Sequence, residues 1–236
     1  MCGIVGAVAQ RNVTPILIEG LRRLEYRGYD STGIALAQDG GGLALRRSVG
    51  KVAKLAEKLA AQPCAGKLGI AHSRWATHGG VTEANAHPHV SGGRIALIHN
   101  GIIENYLEIR ESLKAKGYAF SSETDTEVIA HLIHHLVQQG RDLTAAVQQA
   151  VRQLTGAYAI VVFDAQVPDR LVVARIASPL VVGLGEGENF VASDVQALLP
   201  VTRRFYFLEE GDVADVRLDA VTVYDAAGKK VSRKVH

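Results

Sequence analysis

The chain has 236 residues, of which 47% are hydrophobic and 21% charged, the proportions of a globular domain. Its net charge is +2 and its basic residues are dispersed, which excludes the clustered basic face of a nucleic-acid-binding protein. No apolar run is long enough for a membrane span, and two cysteines are too few for a disulfide framework. We therefore expect a cytoplasmic protein without membrane or nucleic-acid partners.

Strands and amphipathic helices alternate over the first two thirds of the sequence. Hydrophobic periodicity and turn residues predict strands at 3–9, 33–37, 43–48, 67–73 and 95–99, the last ending at Asn100-Gly101. Helices are predicted from Pro15 with Thr14 as N-cap, near 51–60, from Tyr106 to before Gly117, from a Thr124/Glu127 capping box, and after Gly140.

From residue 157 onward, short β-rich runs separated by Gly, Pro and Asp turns replace the helices. The basic run at 229–234 is expected to be a solvated tail or the start of a linker. This distribution favours packed sheets with helices outside them, an α+β fold. No linker interrupts the chain, so we predict one domain over 1–236.

Cys2 is a candidate nucleophile. If Met1 is removed, Cys2 carries both a thiol and a free α-amine, whose reference pKa is about 7.7–8.0. On the order of a tenth of that amine is free base near pH 7, so the residue would bring its own general base. Taken alone, however, a cysteine at a strand start is more often a small buried hydrophobic residue.

Asn100-Gly101 allows two interpretations of about equal weight. Asn-Gly is the strongest short signal for a β-hairpin. The following residues (IIENYLEIRESL) resemble a turn and a helix more than a paired strand, which weakens the hairpin interpretation. An Asn side chain and a glycine N–H at a strand end could instead form an oxyanion hole.

Two further regions could bind a substrate. Arg74 begins the loop 74–80 (RWATHGG) and could clamp a carboxylate, while Trp75 could belong to a mobile lid; an ordinary surface loop is equally compatible. Asp125 precedes a predicted helix, where an acid commonly caps the helix or interacts with its dipole. It could also bind an ammonium group.

Several histidines are concentrated in one part of the chain, at positions 72, 78, 87, 89 and 99. A metal site is conceivable, but neither an HExxH motif nor a Cys/His ligand spacing is present. Ordinary structural histidines are the preferred interpretation, and no metal or cofactor is expected.

Nine motifs occur in order along nearly the whole chain: CGIVGAVA, RRLEYRGYDSTG, SRWATHG, NAHPH, HNGIIEN, SETDTEV, GAYAIVVFD, GENFVASDVQALL and FLEEGD. Together they resemble the class II, N-terminal-nucleophile glutamine amidotransferase family. The amino-acid sequences of these motifs are most similar to those of the branch in which the glutaminase domain precedes two sugar-phosphate isomerase domains. The departures, Thr32 and Ser73 where Ala and Thr are usual, are conservative. The resemblance implies a four-layer αββα sandwich of the N-terminal-nucleophile hydrolase type.

The resemblance also implies roles for individual residues. Cys2 matches the nucleophile, Asn100 and Gly101 the oxyanion hole, and Arg27 a residue near the nucleophile. Arg74 and Asp125 match the groups that hold the α-carboxylate and α-amine of L-glutamine. The glutamine lid is matched by Trp75, Ala76, Thr77 and His78.

The implied reaction is hydrolysis of glutamine to glutamate and ammonia. In the longer enzymes the ammonia aminates a sugar phosphate on the isomerase domains, which this chain lacks; the separate domain is expected to be a monomer and the longer enzyme a homodimer. Two other classes remain open: a metal-dependent hydrolase that uses the histidines, and a non-catalytic glutamine-sensing domain.

Overall fold

The computed structural model describes residues 2–76 and 78–236. Met1 and Thr77 lie outside the described residues, and with them the expected removal of Met1 and the expected place of Thr77 in a lid. Within the described chain, two seven-stranded antiparallel sheets are packed with five α-helices. None of these helices is long and apolar enough to cross a bilayer.

The two sheets divide the strands between them. In the first sheet the spatial order is β11-β9-β10-β1-β4-β2-β3. Its strands are β1 (Gly3–Ala9), β2 (Ser31–Ala37), β3 (Leu43–Val49), β4 (Leu68–Arg74), β9 (Val181–Leu184), β10 (Glu188–Ala192) and β11 (Phe205–Phe207). The second sheet has the order β14-β13-β12-β8-β7-β6-β5. Its strands are β5 (His89–Ser91), β6 (Ile95–Ile103), β7 (Gly156–Asp164), β8 (Arg170–Ile176), β12 (Val213–Arg217), β13 (Val221–Tyr224) and β14 (Lys230–Val231).

The helices form the two outer layers. They are α1 (Thr14–Arg23), α2 (Val52–Ala61), α3 (Tyr106–Ala115), α4 (Glu127–Gln138) and α5 (Leu143–Val151). The first two pack their apolar faces on the first sheet, and the other three pack on the second. A third apolar core, which includes Ile4, Ile98 and Phe163, lies between the sheets. The predicted four-layer αββα sandwich is therefore confirmed.

The sheets are buried on both faces, which explains their sequence pattern. All seven residues of β1, β2 and β4 are buried, and these strands are almost continuously apolar or small. A glycine allows a close approach between the sheets: a Cβ on Gly6 of β1 would lie 3.0 Å from Leu171 Cδ1 on β8. Small residues in β1 thus let the second sheet pack directly against it.

Two local predictions about helix caps are wrong. The N-cap of α1 is Val13, and the Thr14 hydroxyl donates instead to the Cys64 carbonyl at 3.2 Å. No Thr124/Glu127 capping box forms, because α4 begins at Glu127 and the Glu127 carboxylate accepts hydrogen bonds from Ser121 and Ser122.

The basic C-terminal run is not a free tail. Lys230 and Val231 form β14 against β13, and the Arg233 guanidinium binds Asp212 at 2.6 Å. Asp212 is almost fully buried, so this ion pair fixes the end of the chain to the second sheet.

The hairpin interpretation of Asn100-Gly101 is also wrong. Strand β6 does not end at His99 but continues to Ile103, and Asn100 and Gly101 pair with Ala159 and Tyr158 of β7. The structure therefore places the Asn-Gly pair inside a nine-residue strand. Arg74, expected in a loop, is likewise the last residue of β4.

Candidate active site

The thiol of Cys2 lies at the junction of the two sheets. The residue immediately precedes β1, and its Sγ accepts a hydrogen bond from the Trp75 N–H at 3.1 Å. Pairing of Gly3 with Ser73 brings these chain segments together, and a Cβ on Gly3 would approach Ser73 Oγ to 2.6 Å. Burial raises the pKa of the Cys2 thiol, whereas the hydrogen bond from Trp75 acts to lower it. The thiol is therefore poorly ionised unless a nearby base accepts its proton.

Asn100 reaches Cys2 from the second sheet. Its Nδ2 donates to the Cys2 carbonyl oxygen at 3.0 Å, and its Oδ1 lies 2.9 Å from Nε2 of His72. Gly101 follows with a φ of 128°, and a Cβ there would collide with the Ala157 carbonyl oxygen. Only glycine fits this backbone. An amide donor and a glycine backbone thus line the same cavity as Cys2.

Arg74 binds the loop that follows it. Its guanidinium is almost fully buried and donates to the carbonyl oxygens of His78 and Gly80, the latter at 3.1 Å. The Asn85 amide donates to the same Gly80 carbonyl at 3.0 Å. Burial lowers the pKa of Arg74, and the negative charges of Cys2 and Asp125 oppose that effect. The cation remains charged because the ordinary arginine pKa is above about 12.

Asp125 is buried on the opposite side of the same cavity. Its Oδ2 accepts a hydrogen bond from the Ile103 N–H at 2.8 Å, at the end of β6. It is therefore not a helix cap, since α4 begins two residues later. One carboxylate oxygen is held by the strand, which leaves the other available for a cationic ligand.

Two residues that the sequence analysis did not assign to the site hold these groups in place. The Asp30 carboxylate accepts from the Ala76 N–H at 2.9 Å, and the Asp30 N–H donates to the Arg74 carbonyl at 3.0 Å. Glu127 accepts from Ser121 and Ser122 and so folds the segment that carries Asp125. Burial opposes ionisation of Glu127, but hydrogen bonds from His131, Ser122 and Ser121 outweigh it and lower its pKa. Both residues lie inside motifs quoted in the sequence analysis, RRLEYRGYDSTG and SETDTEV, and this was the available signal.

The residues expected in the lid surround the thiol in part. The Trp75 side chain is 47% exposed and meets Tyr29 edge-on, with ring centroids 6.0 Å apart. Ala76 is held by Asp30, and the His78 ring packs against Tyr106 with centroids 5.8 Å apart. The partly exposed Trp75 thus lines both cavities at Cys2.

Arg27 lies on the other side of the thiol. Its Nη1 donates to the Ser193 carbonyl at 3.3 Å and to Asp194 Oδ2 at 3.2 Å. Ser193 is joined to β1 through a hydrogen bond from the Ile4 N–H at 3.1 Å. Arg27 is thus a nearly buried cation that lines a cavity together with Cys2.

Two cavities meet at Cys2. The smaller, of about 20 Å³, is lined by Cys2, Arg74, Trp75, His78, His87, His99, Gly101, Thr124, Asp125 and Thr126. This volume holds little more than one water molecule. The larger, of about 290 Å³, is lined by Cys2, Arg27, Trp75, Asn100, Gly101, Ile102, Ser178 and Pro179. The structure thus brings the predicted carboxylate and amine binders to one cavity and Arg27 and Asn100 to the other, with the thiol at both.

Three of the clustered histidines, His72, His87 and His89, are buried and their rings contact one another. The rings of His72 and His87 stack with centroids 4.1 Å apart, and His89 meets His87 edge-on at 4.8 Å. Burial lowers the pKa of His72 and of His89 to about 3, so these rings are neutral. Among residues 2–76 and 78–236, no group of three or more His, Cys, Asp or Glu side chains is placed to hold a metal ion.

The family model of the glutamine amidotransferase domain matches residues 72–200, more than half of the chain. The chain belongs to this family of glutamine amidotransferase domains.

Relatives from bacteria narrow the comparison. The chain is 60% identical over 234 residues to the glutamine–fructose-6-phosphate aminotransferase (isomerizing) of Pseudomonas putida, and 61% identical over 235 residues to that of Idiomarina loihiensis. These matches cover 99% and 100% of this chain. The chain spans only 38% of the length of either relative.

Solved structures support the fold. The glutamine phosphoribosylpyrophosphate amidotransferase of B. subtilis, complexed with ADP and GMP, superposes with a TM-score of 0.81 at 24% identity, over 97% of this chain and 50% of that one. A structure described as the allosteric regulatory enzyme of purine biosynthesis superposes with a TM-score of 0.82 at 27% identity. This match covers 95% of this chain and 49% of that one. The αββα sandwich is thus shared with amidotransferases of the N-terminal-nucleophile type.

Proposed function

We propose that this domain hydrolyses L-glutamine to L-glutamate and ammonia, with Cys2 as an N-terminal nucleophile after Met1 has been removed. The observation that carries the proposal is the meeting of three groups at one residue, Cys2. The Asn100 amide comes from the second sheet, the Trp75 backbone from the first, and the cavity between Arg74 and Asp125 opens beside them.

Glutamine would bind through its amino-acid head. The α-carboxylate takes the place of the His78 and Gly80 carbonyl oxygens on the Arg74 guanidinium, because a carboxylate forms stronger, charge-assisted hydrogen bonds. The α-ammonium binds the free oxygen of Asp125. Since the cavity is smaller than glutamine, Trp75 and the segment from His78 to Gly80 move outward for entry and close again over the substrate.

The chemical steps then follow from the positions of the donors. The Cys2 thiol gives its proton to its own α-amine, and the sulfur bonds to the side-chain carbonyl carbon of glutamine. Asn100 Nδ2 and the Gly101 N–H stabilise the oxyanion, with about 3–4 kcal/mol for such a donor. The protonated α-amine of Cys2 gives its proton to the departing nitrogen, the C–N bond breaks and ammonia leaves. Water attacks the γ-glutamyl thioester, which releases glutamate and restores the thiol.

Arg27 would serve the site by its position. Its buried guanidinium is fixed by Ser193 and Asp194 at the wall of the larger cavity, next to Cys2 and Asn100. A fixed positive charge there favours the thiolate and the oxyanion.

The relatives suggest where the ammonia goes. In a longer protein of the same kind, a sugar-phosphate isomerase part would use it to convert fructose 6-phosphate to glucosamine 6-phosphate, the first amino sugar of hexosamine synthesis. This chain alone would release ammonia and aminate no sugar. We propose a cytoplasmic site for the reaction, a monomeric domain when separate, and a homodimer for the longer enzyme.

Intact mass and peptide mapping after treatment with 6-diazo-5-oxo-L-norleucine test the proposal directly. We expect a mass without Met1 and a single adduct on Cys2. An unmodified Cys2 in protein that has lost Met1 would contradict the mechanism. Turnover that is abolished by a chelator while Cys2 stays unmodified would favour the metal-dependent hydrolase, and glutamine binding without turnover would favour a sensing domain.

A further inference from the structure

We infer that His72 is a positioning residue that sets which face of the Asn100 amide points into the active site. The inference rests on the proposed role of Asn100 as an oxyanion donor. His72 lies in the middle of β4, opposite Ile4 of β1 and Gly33 of β2. Its side chain crosses to the second sheet, where Nε2 is 2.9 Å from Asn100 Oδ1.

The hydrogen bonds around Asn100 define the orientation of its amide. The Cys2 carbonyl oxygen can only accept, so the Asn100 atom 3.0 Å away must be the NH₂ nitrogen. The amide oxygen then faces His72, and His72 must present an N–H on Nε2. The second hydrogen of the amide remains available to a bound substrate, since Asn100 is only half-buried and lines the larger cavity.

The surroundings of His72 keep this N–H in place. The ring is fully buried, and burial lowers its pKa to about 3 despite the opposing hydrogen bond to Asn100. A neutral imidazole carries one hydrogen, here on Nε2, and its Nδ1 has no hydrogen-bond partner among the described residues. The His87 ring, stacked at 4.1 Å with planes 18° apart, holds the His72 plane. His87 is itself fixed, because its Nδ1 accepts from the His99 N–H at 3.3 Å.

A flipped amide would make two repulsive contacts. Its oxygen would face the Cys2 carbonyl oxygen, and its NH₂ would face the His72 N–H. Without His72, the second penalty disappears and the amide can turn its oxygen toward the cavity, where the oxyanion develops. An acceptor in that position repels the transition state without altering how glutamine's amino-acid head binds.

The experiment compares His72→Leu, which lacks the donor, with His72→Gln, whose amide nitrogen can donate from a similar position. We expect kcat for glutamine hydrolysis to fall on the order of 10- to 100-fold in His72→Leu, below the full loss of an oxyanion donor. KM should change by less than about 3-fold, because substrate binding uses other groups. His72→Gln should recover most of the loss. The rate of Cys2 alkylation by iodoacetamide should be unchanged, since that reaction needs no oxyanion hole.

A double-mutant cycle distinguishes an effect that acts through the Asn100 amide from a general loss of stability, which would lower kcat in both backgrounds. In an Asn100→Ala background, replacing His72 by Leu should have no further effect on kcat, because His72 acts only through the Asn100 amide. His134→Leu, a buried histidine on α4 outside both cavities, is the matched control and should leave kcat unchanged.

The outcomes separate the two proposals. Absence of glutamine hydrolysis by the unmodified protein after Met1 removal would overturn the proposed function. Normal hydrolysis with an unaffected His72→Leu variant, or losses that simply add in the Asn100→Ala background, would overturn the role of His72 alone. So would a folded His72→Gln variant that is as slow as His72→Leu.

Discussion

At the scale of single residues, the proposed hydrolysis of glutamine depends first on the thiol of Cys2. We expect Cys2→Ala to lower kcat for glutamine hydrolysis by at least about 10⁴-fold, because removal of a covalent nucleophile leaves only binding and the oxyanion donors. Cys64→Ala should retain normal turnover, since its thiol lies in neither cavity at Cys2. Ammonia release measured at saturating glutamine distinguishes them. Comparable activity of the two variants would show that Cys2 is not the nucleophile.

Asp125 offers a test of substrate recognition at the same scale. Asp125→Asn keeps an oxygen that can accept from the Ile103 N–H but removes the charge that faces the α-ammonium. A hydrogen bond to a charged group contributes about 1.5–3 kcal/mol, so KM should rise about 10- to 150-fold with a smaller change in kcat. Steady-state kinetics with glutamine give this value.

Glutaramate, the analogue of glutamine without the α-amine, provides the control. It has no ammonium for Asp125 to bind, so the original protein and Asp125→Asn should hydrolyse it with similar kcat/KM. An equal loss on both compounds would mean that Asp125 supports the fold of the site and not the α-amine.

Secondary-structure elements show which features the sequence could predict. Periodicity located the helices and most strands, because each element buries one stripe or both faces in a layered sandwich. The Asn-Gly pair favours a hairpin locally, but no hairpin forms there. Nine consecutive residue pairs between β6 and β7 outweigh this local preference. The capping-box spacing misled for a similar reason, since Glu127 finds four donors in Ser121 and Ser122. The contacts of His72 and Asp30 depend on how two distant segments pack, which no local pattern encodes.

The start of α4 carries a testable pH dependence. Glu127 is almost fully buried, and its hydrogen bonds lower its pKa below the ordinary value of about 4.3. The unfolded chain therefore binds this proton at a higher pH than the folded one. The stabilisation by the carboxylate is complete above about pH 4.3 and is lost as pH falls toward the folded-state pKa.

The original protein should have a higher free energy of unfolding than Glu127→Gln. We expect this difference to shrink below about pH 4.3, by up to about 1.4 kcal/mol per pH unit. Urea unfolding of both proteins at several pH values measures it. Glu111→Gln, at an exposed position of α3, controls for the general loss of an acidic group. A difference between the original protein and Glu127→Gln that stays constant from pH 6 to pH 3.5 would contradict the assignment.

At the scale of the whole molecule, the site exists only because two sheets meet. Cys2 precedes a strand of the first sheet, and Asn100 belongs to a strand of the second. The apolar layer between the sheets therefore sets the distance between Cys2 and Asn100, the proposed nucleophile and oxyanion donor. The outer layers stabilise each sheet separately and have no such role.

Two leucine-to-alanine substitutions test the role of the layer between the sheets against that of an outer layer. Leu171→Ala removes a fully buried side chain that packs on Gly6 between the sheets, and Leu55→Ala removes one from α2 in an outer layer. Each should lower the free energy of unfolding by about 3–5 kcal/mol, the range for a buried leucine. Only Leu171→Ala should also lower kcat, on the order of 10-fold, because a misplacement of about 1 Å at the reacting groups costs up to about 100-fold. Turnover and urea unfolding, compared at a temperature where both variants remain folded, test this. Equal turnover in the two variants would show that the relative position of the sheets is fixed by something other than the layer between them.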